Sequence, residues 1–560
     1  MTNFQSIPSR MLERGDTHST SEAVLLDAPL STRELLDRVL AVCELLLGKG
    51  VRPGDRVAML WPTTVEHTVL DLAVLAVGAV AVPVYETDSV EQVSWILSDS
   101  GVTGLFVHPS HRSRVESAAA CWVVSELPAS SSTDTAPSVR SRVAALRAGD
   151  PACIIYTSGT TGRSKGCVLT HGNLSFAVDA ARESLPELLG PGERTVLFLP
   201  LAHVFARVVQ YACLTGGVTV AYSDPTRIVD DLAVVKPTWL TVVPRVLEKV
   251  YASAKASASS GVKARIFAMA EAAAIEAAVT AESTGTPRHD IRWRLAEKLV
   301  YRKLRGRLGG SLRFVLSGGA PLDPRLDRFF TGAGVTVLEG YGLTESTAAH
   351  TVSRPSRKRS GSVGLPIPGV EVRVLDGEIQ LTGPNIFDGY WNNPAATAET
   401  VVFDQGVRWL RTGDLGALDE DGFLSVTGRI KELIVTAGGK NVQPVGLEEE
   451  VLRHPAFSQC VVIGDRRPFI AALLACDPVW LATAGIDAAS AATDPRVHEA
   501  AAAAVATANR TVSQAESIRE WRVLPRELAV DSGELTATLK TRRAVVLSTF
   551  ADLVEDIYRA

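Results

Sequence analysis

Tyr156-Thr-Ser-Gly-Thr-Thr-Gly-Arg-Ser-Lys-Gly166 sets three glycines, five Ser/Thr residues and a lysine between two apolar runs, residues 153–156 and 167–169. The arrangement suits a loop that grips a polyphosphate. Glycines let backbone N–H groups turn toward an anion at close range. Thr157, Ser158, Thr160 and Thr161 add hydroxyl donors, and Lys165 adds a compact positive charge. The spacing Gly159-x-x-Gly162-x-x-Lys165 departs from the G-x-x-x-x-G-K-[ST] pattern of a P-loop. A literal G-x-S-x-G match, Gly162 to Gly166, lies inside the polar loop and leads into an apolar run, so it is not read as a nucleophile elbow. Taken alone, the stretch also reads as a polar surface hairpin.

Three further segments follow in order. Gly340-Tyr-Gly-Leu-Thr-Glu-Ser346 comes after the apolar run 335–338, then Arg411-Thr-Gly-Asp-Leu415, then Gly428-Arg-Ile-Lys-Glu432. With the first loop they resemble the core motifs of the adenylate-forming superfamily, which includes acyl-CoA synthetases, luciferases and peptide-synthetase adenylation domains. The resemblance runs from about residue 35 to the C-terminus. Leu199-Pro-Leu-Ala-His-Val-Phe-Ala-Arg207 and Leu535-Thr-Ala-Thr-Leu-Lys540 look most like the bacterial long-chain fatty acyl-CoA synthetase branch.

Bulk properties agree with a multidomain globular chain. At 560 residues it exceeds one hydrophobic core. It is 46% hydrophobic and 21% charged, and a net charge of -5 leaves no nucleic-acid footprint. Seven scattered cysteines with no C-x-x-C argue for reduced thiols rather than a disulfide framework or a zinc site. The first ten residues lack the apolar core of a signal peptide. The most apolar run, 72–84, is too short to span a bilayer and reads as a buried helix running into a buried strand. The expectation is a cytoplasmic protein, soluble or peripheral at the inner face of a membrane.

Along the chain, helix-like and strand-like segments alternate. Residues 31–47 are helical, with Ser31 as N-cap and Glu34 at the capping-box position. Residues 56–60 and 104–107 read as strands, 90–99 as a helix, and 124–141 as an exposed loop. Strands are expected at 195–199, 218–221, 240–243, 314–316 and 335–338, with a long helical region at 245–308 broken near Gly285 and Pro287. From 364 to 424 short strands and turns suggest a β-rich subdomain. Past Gly428 comes a compact α/β tail: a helix at 447–452, strands at 459–463 and 469–475, and an alanine-rich helix at 495–508 capped by Asp494. The fold class is α/β: a large N-terminal region of layered α/β subdomains plus a β-rich subdomain (1–427), and a small mobile C-terminal α/β domain (428–560). One stretch, Arg288 to Arg307, places basic residues around Ile291, Leu295 and Leu299 on one helical face. Packing against its own domain is the preferred reading, and contact with anionic lipid is the alternative.

The resemblance implies a two-step reaction. A carboxylate attacks the α-phosphate of ATP to give an acyl-adenylate and pyrophosphate, and the thiol of coenzyme A then takes the acyl group. Such chemistry needs alignment and charge neutralisation, not a protein nucleophile. By resemblance, Glu345 binds Mg2+ and Thr344 touches the α-phosphate. Tyr341, between Gly340 and Gly342, lies against adenine, with Gly318, Gly319, Ala320 and Pro321 beside it. Asp414 accepts from the ribose hydroxyls, and Arg429 reaches the nucleotide. Lys431 is the hinge, and Lys540 is a mobile lysine delivered to the carboxylate and α-phosphate. Gly438, Gly439 and Lys440 line the coenzyme A tunnel after rotation, and His203 sits at the acyl pocket. Each has a plainer reading: a capping glutamate, a core tyrosine, an Asx cap, surface cations, a satisfied core histidine. Many relatives carry proline where this chain has Ala537, which loosens that loop but spares Lys540. The expected function is fatty acid activation and transfer to coenzyme A. The alternatives are a fatty acyl-AMP ligase loading a carrier protein, a more distant aryl-CoA ligase, and a non-catalytic nucleotide- or lipid-binding relative.

Overall fold

The computed structural model describes residues 4–25, 29–115, 121–128, 135–157, 163–258, 261–536 and 539–559. Its largest sheet has seven strands in the spatial order Gly389–Tyr390, Lys165–Thr170, Pro151–Thr157, Val80–Pro83, Arg56–Leu60, Gly104–Val107 and Trp122–Val124. The strands from Pro151–Thr157 onward run parallel, and Lys165–Thr170 folds back antiparallel to form the hairpin that carries the glycine-rich loop. A second sheet sets Trp239–Val242, Phe314–Gly318 and Thr336–Leu343 parallel, then adds Ala348–Val352 antiparallel. The parallel strands are near-continuous apolar runs because helices cover both faces. A β-rich unit follows, built on Glu371–Leu375, Glu378–Thr382, Val401–Asp404, Val407–Leu418 and Leu424–Arg429.

Among the described residues, the buried apolar clusters divide along the chain. Three draw on residues before 427 and two on residues after 433. In the latter set, side-chain alternation along Phe457–Ile463 and Ile470–Cys476 sends Cys460, Val462, Ala472 and Leu474 to one face and Val461, Ile463, Ala471 and Leu473 to the other. Helices Pro444–Leu452 and Pro495–Asn509 cover the first face, and Arg543–Thr549 and Ala551–Arg559 the second. No helix among the described residues is long and apolar enough to cross a membrane.

Most expected elements are present, including the Ser31–Glu34 capping box on Thr32–Gly48. Three expectations need correction. Residues 135–145, inside and beyond the expected 124–141 loop, form the helix Thr135–Ala145, because Val139 and Val143 stand four apart and bury one stripe; residues 129–134 lie outside the described set. The strand expected at 335–338 runs on through Gly340-Tyr-Gly342 as Thr336–Leu343, paired with Ala348–Val352 so closely that a Cβ on Gly342 would collide with the Ala348 carbonyl oxygen. Finally, Ile291, Leu295 and Leu299 point outward, while Ala296, Tyr301 and Leu304 of the same helical stretch face the core.

Arg207, last of the Leu199–Arg207 segment, faces the interior rather than a ligand. It is fully buried, pairs with buried Asp71 of helix Val65–Ala76, and donates to the Tyr211 hydroxyl at 2.9 Å, which itself donates to Asp71. This triad ties Val65–Ala76 to Val204–Gly216. Asp71→Ala strands a buried guanidinium, and the expected loss is about 3–5 kcal/mol of unfolding free energy, read as a lower denaturant midpoint. A midpoint equal to wild type would contradict the pairing.

Candidate active site

A cavity of about 1890 Å³ opens where the C-terminal ends of the two large sheets meet the β-rich unit and the tail of the chain. At one end, strand Phe314–Gly318 stops at Gly318, and Gly319 turns away with φ +86, a conformation that favours glycine. Gly318, Gly319, Gly340, Tyr341 and Gly342 line this end, while Ala320 and Pro321 sit on the exposed turn beyond it. The Tyr341 hydroxyl donates to Asp414 Oδ2 at 2.7 Å, and Arg429 Nε pairs with Asp414 Oδ1 at 2.8 Å. Asp414 and Arg429 face each other because strands Val407–Leu418 and Leu424–Arg429 pair in that register. The rest of the Arg411-Thr-Gly-Asp motif fixes this carboxylate in place. Glu378 accepts from Arg411 Nε (3.0 Å) and from the Gly413 N–H (3.1 Å), and Thr412 Oγ1 accepts from the Asp414 N–H (3.0 Å).

The phosphate-loop residues Ser158, Gly159, Thr160, Thr161 and Gly162 lie outside the described set. Their flanks are held firmly. Tyr156 donates to Asp99 at 2.6 Å, and Trp95 Nε1 donates to the Ser164 carbonyl at 3.0 Å. Thr157 and Lys165 are cross-strand neighbours at the mouth of the hairpin. Lys165 Nζ lies 5.1 Å from the centre of the Tyr390 ring, and the Tyr390 hydroxyl donates to Glu345 Oε1 at 2.7 Å. Glu345 sits on the single turn Thr344–Ser346 and faces the cavity beside buried Thr344. One carboxylate facing the cavity suits Mg2+, which is held by one or two carboxylates plus substrate phosphates. The described residues contain no cluster of three His, Cys, Asp or Glu that would form an all-protein metal cage.

His203 combines its two readings. It caps helix Val204–Gly216, its Nδ1 accepting from the Phe205 N–H at 3.1 Å, and it lines the cavity. That bond puts the proton of the neutral ring on Nε2. Burial, and then the charge of Lys540, lower its pKa to about 4. From here an apolar arm runs between helices His171–Ser184 and Val204–Gly216, past Ala177, Ala181, Val208 and Ala212 to Leu188 and Trp239. The Phe205 ring lies at the level of Gly318, within 3.4 Å of where its Cβ would be. Ala212 is seven residues further along the helix, roughly 10 Å. Trp239 pairs with Phe314, four residues before Gly318, roughly 13 Å down the sheet.

Lys540 lines the same cavity. Its loop is tied by Thr536 N–H to the Lys540 carbonyl (2.8 Å) and Lys540 N–H to Thr536 Oγ1 (3.0 Å). Below it, buried Glu534 is clamped by both Arg526 nitrogens at 2.6 and 2.7 Å, which brings its carboxyl down to about 2. Lys540 remains exposed to solvent in the cavity, yet the protein around it, and then the Arg429 cation, lower its pKa from the ordinary lysine value; Asp414, Glu432 and Glu345 oppose this. Lys431 lies on the turn Ile430–Glu432 at the cavity edge. Gly438, Gly439 and Lys440 are not brought to the cavity. They form an exposed hairpin tip between Ile434–Val435 and Asn441–Val442, where Lys440 pairs with Glu516 at 3.2 Å.

The sequence reading missed Tyr390, Glu378 and the apolar arm. Phe387-Asp-Gly-Tyr-Trp391, an aromatic cluster ahead of the Asn392-Asn-Pro394 turn, was the available signal for Tyr390. Comparison with known proteins then places the chain. Residues 13–391 match the family model described as AMP-binding enzyme, and residues 431–560 match its C-terminal domain. The long-chain-fatty-acid–CoA ligase FadD15 of Mycobacterium tuberculosis is 46% identical over 553 residues, 94% of this chain and 91% of that protein. Among solved structures, the anthranilate CoA ligase AuaEII with anthranoyl-AMP superposes with a TM-score of 0.75 at 20% identity, covering 99% of both chains. ATP-bound MatB from Rhodopseudomonas palustris gives 0.73 at 24% identity, covering 98% of this chain and 99% of that one. The chain therefore belongs to the family of AMP-binding, adenylate-forming enzymes.

Proposed function

We propose that the protein is an ATP-dependent long-chain fatty acid–CoA ligase. The observation that carries this reading is the apolar arm, which runs at least roughly 10 Å from the nucleotide end of the cavity and suits an extended hydrocarbon chain rather than a single ring. Similarity to FadD15, over nearly the whole chain, supports it.

In the first half-reaction a carboxylate oxygen bonds to the α-phosphorus of ATP and pyrophosphate leaves. Tyr341 and the glycines around it receive adenine. Asp414 accepts from the ribose hydroxyls with the lone pairs that Tyr341 and Arg429 leave free. Lys165 and the hairpin loop hold the β- and γ-phosphates, and Thr344 meets the α-phosphate. Glu345 is the carboxylate that would hold Mg2+, which when bound neutralises phosphate charge. His203, with its proton on Nε2, offers a donor to the substrate carboxyl end. Lys540 brings a cation to the point where two anions must meet, the costliest electrostatic demand of the step.

In the second half-reaction the coenzyme A sulfur bonds to the acyl carbon and AMP leaves. Gly438, Gly439 and Lys440 are assigned to the coenzyme A path, yet they stand outside the cavity while Lys540 is inside. We assign the present arrangement to adenylation, and propose that residues 428–560 rotate about Lys431 to exchange the two segments. The ion pair Arg453–Asp323, at 3.3 Å, links the two parts in this arrangement. We place the reaction in the cytoplasm, in keeping with seven cysteines that form no disulfide among the described residues.

Fatty-acid-dependent pyrophosphate release, followed by thioester formation with coenzyme A but not with a carrier protein alone, tests the function. Ala181→Phe, in the middle of the arm, is expected to lower kcat/KM for long-chain acids by about tenfold or more while sparing short ones. Equal loss at every chain length would contradict the placement of the acyl chain.

Lys540→Ala is expected to abolish acyl-adenylate formation and leave thioester formation from supplied acyl-adenylate nearly intact. Equal loss in both would refute the role. The required form of Lys540 is the cation, and its pKa is lowered, so adenylation falls as pH rises through a value below the ordinary lysine value of about 10.4. Lys540→Arg, which stays protonated, removes that alkaline limb if it retains activity.

A further inference from the structure

The segment Phe387-Asp-Gly-Tyr-Trp391 ties together two parts of the cavity wall, the Lys165 hairpin and the Glu345 turn. Gly389 and Tyr390 add a short strand to the edge of Lys165–Thr170, opposite Val168 and Cys167. The Asp388 N–H donates to the Val168 carbonyl at 3.0 Å, and the Trp391 N–H to the Gly166 carbonyl at 2.7 Å. At the other end, the Phe387 N–H donates to the Glu345 carbonyl at 2.8 Å. On the outside, Trp391 Nε1 donates to the Asp99 carbonyl at 3.1 Å, and Arg408 to the Phe387 carbonyl at 2.7 Å. Buried Phe387 packs edge-on against the Tyr390 ring, with centroids 4.9 Å apart, and limits where that ring can lie.

Backbone bonds of this kind are open to any sequence. The side chain of Tyr390 adds what they do not. Its hydroxyl donates to Glu345 Oε1 at 2.7 Å, and the Lys165 ammonium stands 5.1 Å from the ring centre, within cation–π range. Burial, and then the Glu345 charge, push the phenol well above the usual tyrosine range, so it stays a donor at working pH. Cys167, across the strand pair, is buried near the same carboxylate, whose charge adds to burial in raising its thiol pKa. Glutamate and lysine are long side chains whose ordering costs entropy, and Glu345 stands on a turn of only three residues. One aromatic side chain meets the carboxylate and the ammonium at once.

We propose that Tyr390 is a positioning residue for acyl-adenylate formation: its hydroxyl sets the Glu345 carboxylate that would receive Mg2+, and its ring seats Lys165 for the phosphates. This rests on the roles proposed above for Glu345 and Lys165. An outer partner that hydrogen-bonds a ligating carboxylate is worth about 10–100-fold in metal affinity or activity. The hydroxyl serves Glu345 and the ring serves Lys165, so two substitutions separate the two effects.

The test compares Tyr390→Phe, Tyr390→Leu, Glu345→Gln and Tyr390→Phe/Glu345→Gln in the full chain. Pyrophosphate release by Tyr390→Phe should need about tenfold more Mg2+ for half-maximal rate. Calorimetric titration of ATP without any acid should show the same shift in the Mg2+ concentration that strengthens ATP binding. ATP affinity in EDTA should be unchanged in Tyr390→Phe and weakened in Tyr390→Leu, which takes away the ring beneath Lys165. Tyr390→Phe should keep its melting temperature and nearly all thioester formation from supplied acyl-adenylate. With Glu345 already replaced, adding Tyr390→Phe should move the Mg2+ requirement by less than about twofold, because the partner is gone. If Glu345→Gln shifts the Mg2+ requirement and Tyr390→Phe does not, the proposal is overturned and the role of Glu345 stands. If neither shifts it, both are overturned. Equal loss of the two half-reactions in Tyr390→Phe overturns the proposal in favour of a structural tyrosine.

Discussion

Asp414 is bonded at both carboxylate oxygens, by Tyr341 and by Arg429, and this three-residue knot joins the parts of the enzyme that must work together. Tyr341 belongs to the parallel layer that ends at the cavity. Asp414 belongs to the β-rich unit. Arg429 is the last residue of its strand before the turn that carries Lys431. A buried carboxylate is tolerated only when paired and hydrogen-bonded. Here the pairing also ties down the end of the strand from which the chain leaves for its C-terminal part. Glu378 performs the same service one layer back, holding Arg411 and the Gly413 backbone so that Asp414 has one position.

Charge explains why the tail of the chain matters. Bringing a carboxylate to a phosphate is unfavourable until a cation stands between them. In the proposed reaction Lys165, Arg429 and Lys540, which line the cavity, would supply three, with Glu345 as the opposing carboxylate. Lys540 is the costly one, because the protein around this exposed side chain and the Arg429 charge already disfavour its ammonium. The protein holds it there by local means: the Thr536–Lys540 backbone bonds, the Glu534–Arg526 clamp, and a left-handed Leu539 at φ +62. Strain of this kind persists where surroundings over-determine the backbone. A cation that is expensive in place is well suited to visit one half-reaction and leave for the other.

Short-range signals were legible in the sequence. Ser31 and Glu34 announce a capping box, and the apolar run 56–60 a buried strand. Described residues of all four ordered motifs line the cavity; three of the motifs sit at a strand end or turn, and Arg411–Asp414 lies within the strand Val407–Leu418. What the sequence hid depends on distant pairing. Tyr390 meets Glu345 because its two-residue strand adds to Lys165–Thr170, more than 200 residues away in the chain. The apolar arm is lined by alanines and a valine that read as ordinary core. Val139 and Val143 were masked by Ser- and Pro-rich neighbours. The outward face of Ile291, Leu295 and Leu299 follows from which side of that helix the core claims, and periodicity alone does not say.

The central claim is that one cavity serves two reactions because residues 428–560 turn about Lys431. The most direct measurement is a single-turnover experiment on Lys431→Pro, with melting compared first. Proline fixes φ near -65° and removes the backbone donor, so it blocks the turn while leaving the present arrangement available. The account predicts a normal burst of pyrophosphate and a collapse of thioester formation. A folded variant that makes thioester at the wild-type rate would contradict it.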